Sequence, residues 1–188
     1  MAKHFIIILT LFISLVSKGQ VTDTFTISQK DLRQFFSDIR WSDLSTGQML
    51  LLNQPVKLKV ETVQFYAERN PDIFQSFDTI FFINQISSYN HYHWDTTIID
   101  KTRIVSQNTV DSIFSNSKEG SGWEKFRNIY GKEELYSLSV PIFTRDKNFC
   151  IVEINRSCGS LCGTYCTLIF KRQGNQWKLF KELECSKS

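Results

Sequence analysis

The sequence predicts an α+β fold in which N-terminal helices pack on a C-terminal antiparallel β-meander of about four strands. Three observations predict it. Leu32, Phe35, Phe36 and Ile39 recur at helical spacing. From Ser137 onward, apolar segments are cut at regular intervals by turn residues such as Arg145-Asp146-Lys147-Asn148 and Gly174-Asn175. The composition, 188 residues of which 41% are hydrophobic and 22% charged, suits one packed domain and excludes wholesale disorder.

The chain opens with Lys3, an apolar run from Phe5 to Val16, and Ser17 and Gly19 as small residues flanking a cleavage point. This is the layout of a secretory signal peptide, with cleavage after Gly19. As a helix the run spans about 18 Å, short of a hydrocarbon core of about 30 Å. The expected organisation is therefore a signal peptide over residues 1–19 and one domain over 20–188, in a secreted or periplasmic protein. Cleavage takes Lys3 and Lys18 from the 22 basic residues, leaving them one ahead of the 19 acidic ones. A nearly neutral chain argues against a nucleic-acid partner. No later stretch is apolar enough to span a membrane as a helix.

The elements follow in order. Ser28 caps a helix carrying the Leu32 stripe, with Asp31 completing a capping box. Residues 41–56 have no clear period. Leu58, Val60 and Thr62 alternate with Lys57, Lys59 and Glu61, which predicts a half-buried strand. Asn70-Pro71-Asp72 is a turn or helix start. Residues 79–86 fit a helix capped by Ser76, with Ile83 and Ile86 inward, or a buried strand; the helix is preferred. Trp94 to Val105 reads as extended, Asn108 caps a short helical turn, and 116–122 is a loop. A further helix carries Trp123, Phe126, Ile129 and Tyr130 on one face and stops at Gly131. Four strands then span about 137–143, 149–155, 164–171 and 176–183, the first an edge strand because of Pro141.

All five cysteines fall between Cys150 and Cys185. In an exported protein an odd count allows two disulfides and one unpaired thiol. If Ser160 centres a turn, Cys158 lies opposite Cys162. A second turn at Gly174 brings Cys185 towards Cys162 and Cys166. The expected pairs are Cys158–Cys162 and Cys166–Cys185, with Cys150 packed as a small hydrophobe. The C-x₃-C spacing departs from the C-x₂-C redox motif, so a structural role is preferred over a redox or zinc site.

Ser139-Val140-Pro141-Ile142-Phe143, Cys158-Gly159-Ser160-Leu161-Cys162-Gly163 and Gly174-Asn175-Gln176-Trp177 together carry a resemblance. The chain from about Trp94 onward resembles a family of exported bacterial proteins without an assigned activity. That family has an S-x-P-I-F strand, a C-G-x-L-C-G turn and a closing G-x-W strand. Its usual Gly two residues after the turn is absent here, where Thr164 is followed by Tyr165 and Cys166. The resemblance implies export and supplies no catalytic residues.

His91, His93 and Asp95 would share one side of an extended segment, a set that suits zinc with an open position. The aromatics Tyr89, Tyr92 and Trp94 of the same stretch fall in an expected loop, which makes them a candidate binding surface. Asp95, Asp100, Asp111 and Glu153 are the carboxylates that could pair for acid–base chemistry. No phosphate-binding, nucleophile-elbow or metalloprotease motif is present, and no cofactor is expected. The preferred function is a small exported domain that binds a protein or other partner, or serves the cell envelope, without catalysis. The alternatives are a metal-dependent hydrolase at His91, His93 and Asp95, and a thiol–disulfide protein at Cys158 and Cys162.

Overall fold

A computed structural model describes residues 27–39, 49–75, 78–115, 121–131 and 134–188. The expected signal peptide, the Ser76 cap and residues 116–120 of the expected loop lie outside the described residues. Among these residues run α1 (Gln29–Asp38), β1 (Met49–Leu52), α2 (Val60–Arg69), α3 (Asp78–Ser88) and β2 (Thr102–Val105). They are followed by α4 (Gln107–Ser115), α5 (Ser121–Tyr130), β3 (Leu135–Leu138), β4 (Ile142–Phe143), β5 (Phe149–Gly159), β6 (Cys162–Gln173) and β7 (Gln176–Lys187).

The strands form one sheet in the order β2-β1-β3-β5-β6-β7, with β4 also pairing β5. The C-terminal part is antiparallel. The α+β class with helices placed N-terminally holds. The sheet is larger than a meander because β1 pairs in parallel with both β2 and β3. Met49-Leu50-Leu51-Leu52 is a continuous apolar run, as expected of a strand covered on both faces, and Leu50 and Leu51 are fully buried. The expected first meander strand is interrupted. Pro141, which has no amide hydrogen to give a ladder, separates β3 from β4, and both lie against β5.

Alternation along the strands sorts the core onto two faces. Leu32, Phe35 and Phe36 of α1 cover Leu51, Leu138, Val152, Leu168 and Phe170 on one face. Phe35 sits at its centre, edge-to-face with Phe143, Phe170 and Trp177. On the other face α2 and α3 cover Ile142, Ile151 and Ile169. Next to them α4 and α5 cover Leu50, Val105 and Leu135.

Helix ends follow the local chemistry. The Asp31 backbone N–H donates to Ser28 Oγ at 3.1 Å, the expected cap. The cap of α4 is Ser106, whose Oγ accepts from Thr109 N at 3.1 Å, in place of the expected Asn108. Gly131 ends α5 at φ 86°, a conformation glycine adopts freely.

Two helical segments also differ from expectation. Residues 60–69 form a helix, not a strand, because Val63 and Tyr66 face the core at i, i+3 spacing and outweigh a short alternation. In α3 the inward residues are Phe81, Phe82 and Gln85, with Ile86 partly buried, while Ile83 is exposed.

Candidate ligand-binding cavity

The link between β1 and α2 carries Pro55, which interrupts pairing, and then Val56-Lys57-Leu58-Lys59. Val56 bridges to Ser139 and donates its N–H to Leu138 O at 2.9 Å. Trp94 donates its backbone N–H to Asn53 O at 2.8 Å. Its indole N–H donates to Leu138 O at 3.3 Å. Asn53 in turn accepts from Gln107 N through its side chain at 3.0 Å. These bonds hold three irregular segments side by side.

Between them lies a cavity of about 570 Å³. This is within the common size range of small-molecule sites, about 300–1,000 Å³. Val56, Leu58, Ile86, Val140 and Ile142 supply apolar lining, and Leu58 and Ile142 are buried. Lys57, Lys59, His91 and His93 also line it and are exposed, so its mouth can carry positive charge. The alternation at residues 57–59, expected to mark a strand, instead turns Leu58 inward and the two lysines outward.

Tyr89 and Tyr92 line the same cavity. They pack edge-to-face with ring centroids 5.9 Å apart, and Tyr92 packs in turn on Trp94. Burial pushes the Tyr92 phenol up to about 12, helped by the Asp95 charge and opposed by Arg33. The Tyr89 phenol is pushed up mainly by its burial. Its hydroxyl is buried with no hydrogen-bond partner among the described residues. Trp94 is not an exposed loop aromatic. It is 3% exposed and packed edge-to-face on Phe36 within the core, because the surrounding chain is pinned to the sheet.

The alternative metal set of His91, His93 and Asp95 does not assemble among the described residues. His91 ends a turn and residues 92–95 join no strand, so the alternation of a paired strand is not imposed on them. The Asp95 carboxylate accepts from Thr97 N at 2.7 Å and from the Thr97 hydroxyl. His93 Nδ1 lies 3.0 Å from His91 O. Among the described residues, no three His, Cys, Asp or Glu side chains converge as a metal would need. Asp100 and Asp111 are likewise engaged locally, with Lys101 N and Gln107 Nε2.

Glu153 stands apart. It is 5% exposed on β5, and its carboxylate accepts from the Tyr165 hydroxyl at 2.7 Å. Across the same sheet face the Tyr66 hydroxyl donates to Glu184 at 2.7 Å. Burial raises the Glu153 pKa and the Glu184 charge adds to the rise, against the Tyr165 hydrogen bond and the Lys59 charge. The Tyr165 phenol is pushed up to about 12, first by burial.

The cysteines pair as Cys158–Cys162 and Cys166–Cys185, with Cα separations of 5.1 and 4.2 Å. Cys150 is unpaired and fully buried. No helix among the described residues is long and apolar enough to cross a membrane. Comparison with family models, with curated proteins and with solved structures finds no match for the chain.

Proposed function

We propose that this chain is an exported domain, secreted or periplasmic, that binds a small amphiphilic anion and has no catalytic task. The observation that carries the reading is the cavity between residues 54–59, the end of α3 and residues 89–93. Its apolar wall suits a hydrocarbon or aromatic body, and Lys57, Lys59, His91 and His93 suit a carboxylate, sulfonate or phosphate head. Export is supported by the signal-peptide layout read in residues 1–19, by two cysteine pairs of the kind oxidising compartments preserve, and by the resemblance to exported bacterial proteins.

The test is titration of the purified protein with anilinonaphthalene sulfonate and with dodecanoate. One saturable site is expected. Reversing charge at the exposed rim with Lys57→Glu and His91→Glu weakens both anions by about tenfold or more, roughly one charge-assisted contact. Dodecanol, which has no charge, is affected far less. Absence of saturable binding, or equal binding by the charge-reversed variant, overturns the reading.

A further inference from the structure

We propose that Cys158–Cys162 is a redox-active disulfide, and that Arg156 stabilises the thiolate released when an external dithiol reduces it. The inference is independent of the cavity and concerns the far end of the sheet.

Four observations carry it. The pair sits where the β5–β6 hairpin turns, and Ser160, Leu161 and Cys162 are exposed, Leu161 to 88%. A dithiol can therefore reach Cys162 Sγ without unfolding. The register shifts between Ser157 and Gly159, so Cys158 is the bulged residue with no partner of its own across the ladder. Such bulges re-aim one side chain while the strands stay paired. Arg156 lies two residues earlier on β5, and its Nη2 is 3.9 Å from Cys158 Sγ. Glu134 Oε1 lies 3.6 Å from Nε of the same guanidinium, an ion pair that leaves Nη2 facing the sulfur. Finally, the disulfide encloses only the turn of a hairpin already paired along both strands. It constrains the unfolded chain less than Cys166–Cys185, whose sequence separation is 19.

The steps balance as ordinary thiol–disulfide exchange. A thiolate of the dithiol attacks Cys162 Sγ. The bond to Cys158 Sγ breaks, and Cys158 leaves as a thiolate facing the Arg156 cation, which lowers its basicity and improves it as a leaving group. The second thiol of the dithiol then attacks the mixed disulfide and releases Cys162. Two electrons and two protons pass from the dithiol to the protein pair, and the dithiol becomes a disulfide.

The experiment equilibrates the native protein in graded mixtures of reduced and oxidised dithiothreitol, quenches in acid, alkylates, and reads each cysteine by peptide mass spectrometry. Cys158–Cys162 is expected to open at a reduced-to-oxidised ratio at least tenfold lower than Cys166–Cys185. Cys150 stays unlabelled as the control for unfolding. Arg156→Gln makes the first pair about tenfold harder to reduce, about 30 mV, and leaves the second unchanged. Arg156→Lys, which keeps the charge, restores most of the difference. The proposal is overturned if both pairs open together, if Cys166–Cys185 opens first, or if Arg156→Gln leaves the first equilibrium unmoved.

Discussion

The Gln85 side-chain amide satisfies both backbone groups of Phe143. Its Nε2 donates to Phe143 O at 2.8 Å, and Phe143 N donates to its Oε1 at 3.0 Å. Gln85 is fully buried, and it stands to the two-residue strand β4 as a neighbouring strand would. An apolar residue here would leave two buried backbone groups unpaired, each costing about 1–3 kcal/mol. Gln85→Ala should therefore lower stability by about 2–4 kcal/mol. Urea unfolding should show a lower midpoint with an unchanged slope. A midpoint shift equivalent to less than about 0.5 kcal/mol would show that the pairing carries no such weight.

Glu153 makes stability fall as pH rises. Its folded pKa lies above the ordinary 4.5, so between those two values the native state binds more protons than the unfolded chain. The contribution is fully present below 4.5 and is lost as pH climbs through the folded pKa. Glu153→Gln keeps an oxygen for Tyr165 and removes the titration. Its stability relative to the parent should be small at pH 4 and should grow in its favour by pH 7.5. Parallel denaturant curves at the two values test the sign; a gap that narrows with pH contradicts it.

Gly122 sets the approach of α5 to α4. A Cβ there would lie 2.5 Å from Phe114 Cδ1. Alanine favours a helix by about 1 kcal/mol over glycine, but overpacking costs about 1–3 kcal/mol. Gly122→Ala is expected to lower Tm, and Gly122→Ala with Phe114→Leu to recover part of the loss. Thermal unfolding of both variants decides between crowding and propensity.

The cysteine arrangement predicts a simple thiol count. Burial holds the Cys150 thiol well above its usual range and out of reach of reagents. Titration of the native, non-reduced protein with an aromatic disulfide reagent should find no reactive thiol. In strong denaturant without reductant it should find one, and peptide mapping should place it at Cys150. A count of three or five would contradict the two pairs.

The Leu32, Phe35, Phe36 stripe and the three long strands after Phe149 were legible because they depend on residues close in sequence. A cap and a helical period define α1, and turn residues define the hairpins. The same hairpins set Cys166 opposite Cys185 and bring Cys158 beside Cys162, although a bulge makes Gly159 the residue opposite Cys162. Strand β1 was not legible and β2 only as the end of the extended stretch expected over Trp94 to Val105; their parallel pairing joins positions fifty or more apart and no turn announces it. The α2 segment was misread because a short alternation also fits the outer turn of a helix.

Site residues divide the same way. The segment 89–95 stands out in sequence by its density of His, Tyr and Trp. Its meaning depends on backbone bonds to Asn53 and Leu138, which bury Trp94, turn Asp95 towards Thr97, and leave His91 and His93 beside Lys57 and Lys59 around one cavity. Local periodicity therefore decided the helix stripe, the hairpins and the cysteine register, whose contacts are made within a turn or a strand pair. Tertiary packing decided the central parallel strands, the cavity and the burial of Glu153 and Gln85, because each depends on segments that meet only after the sheet has formed.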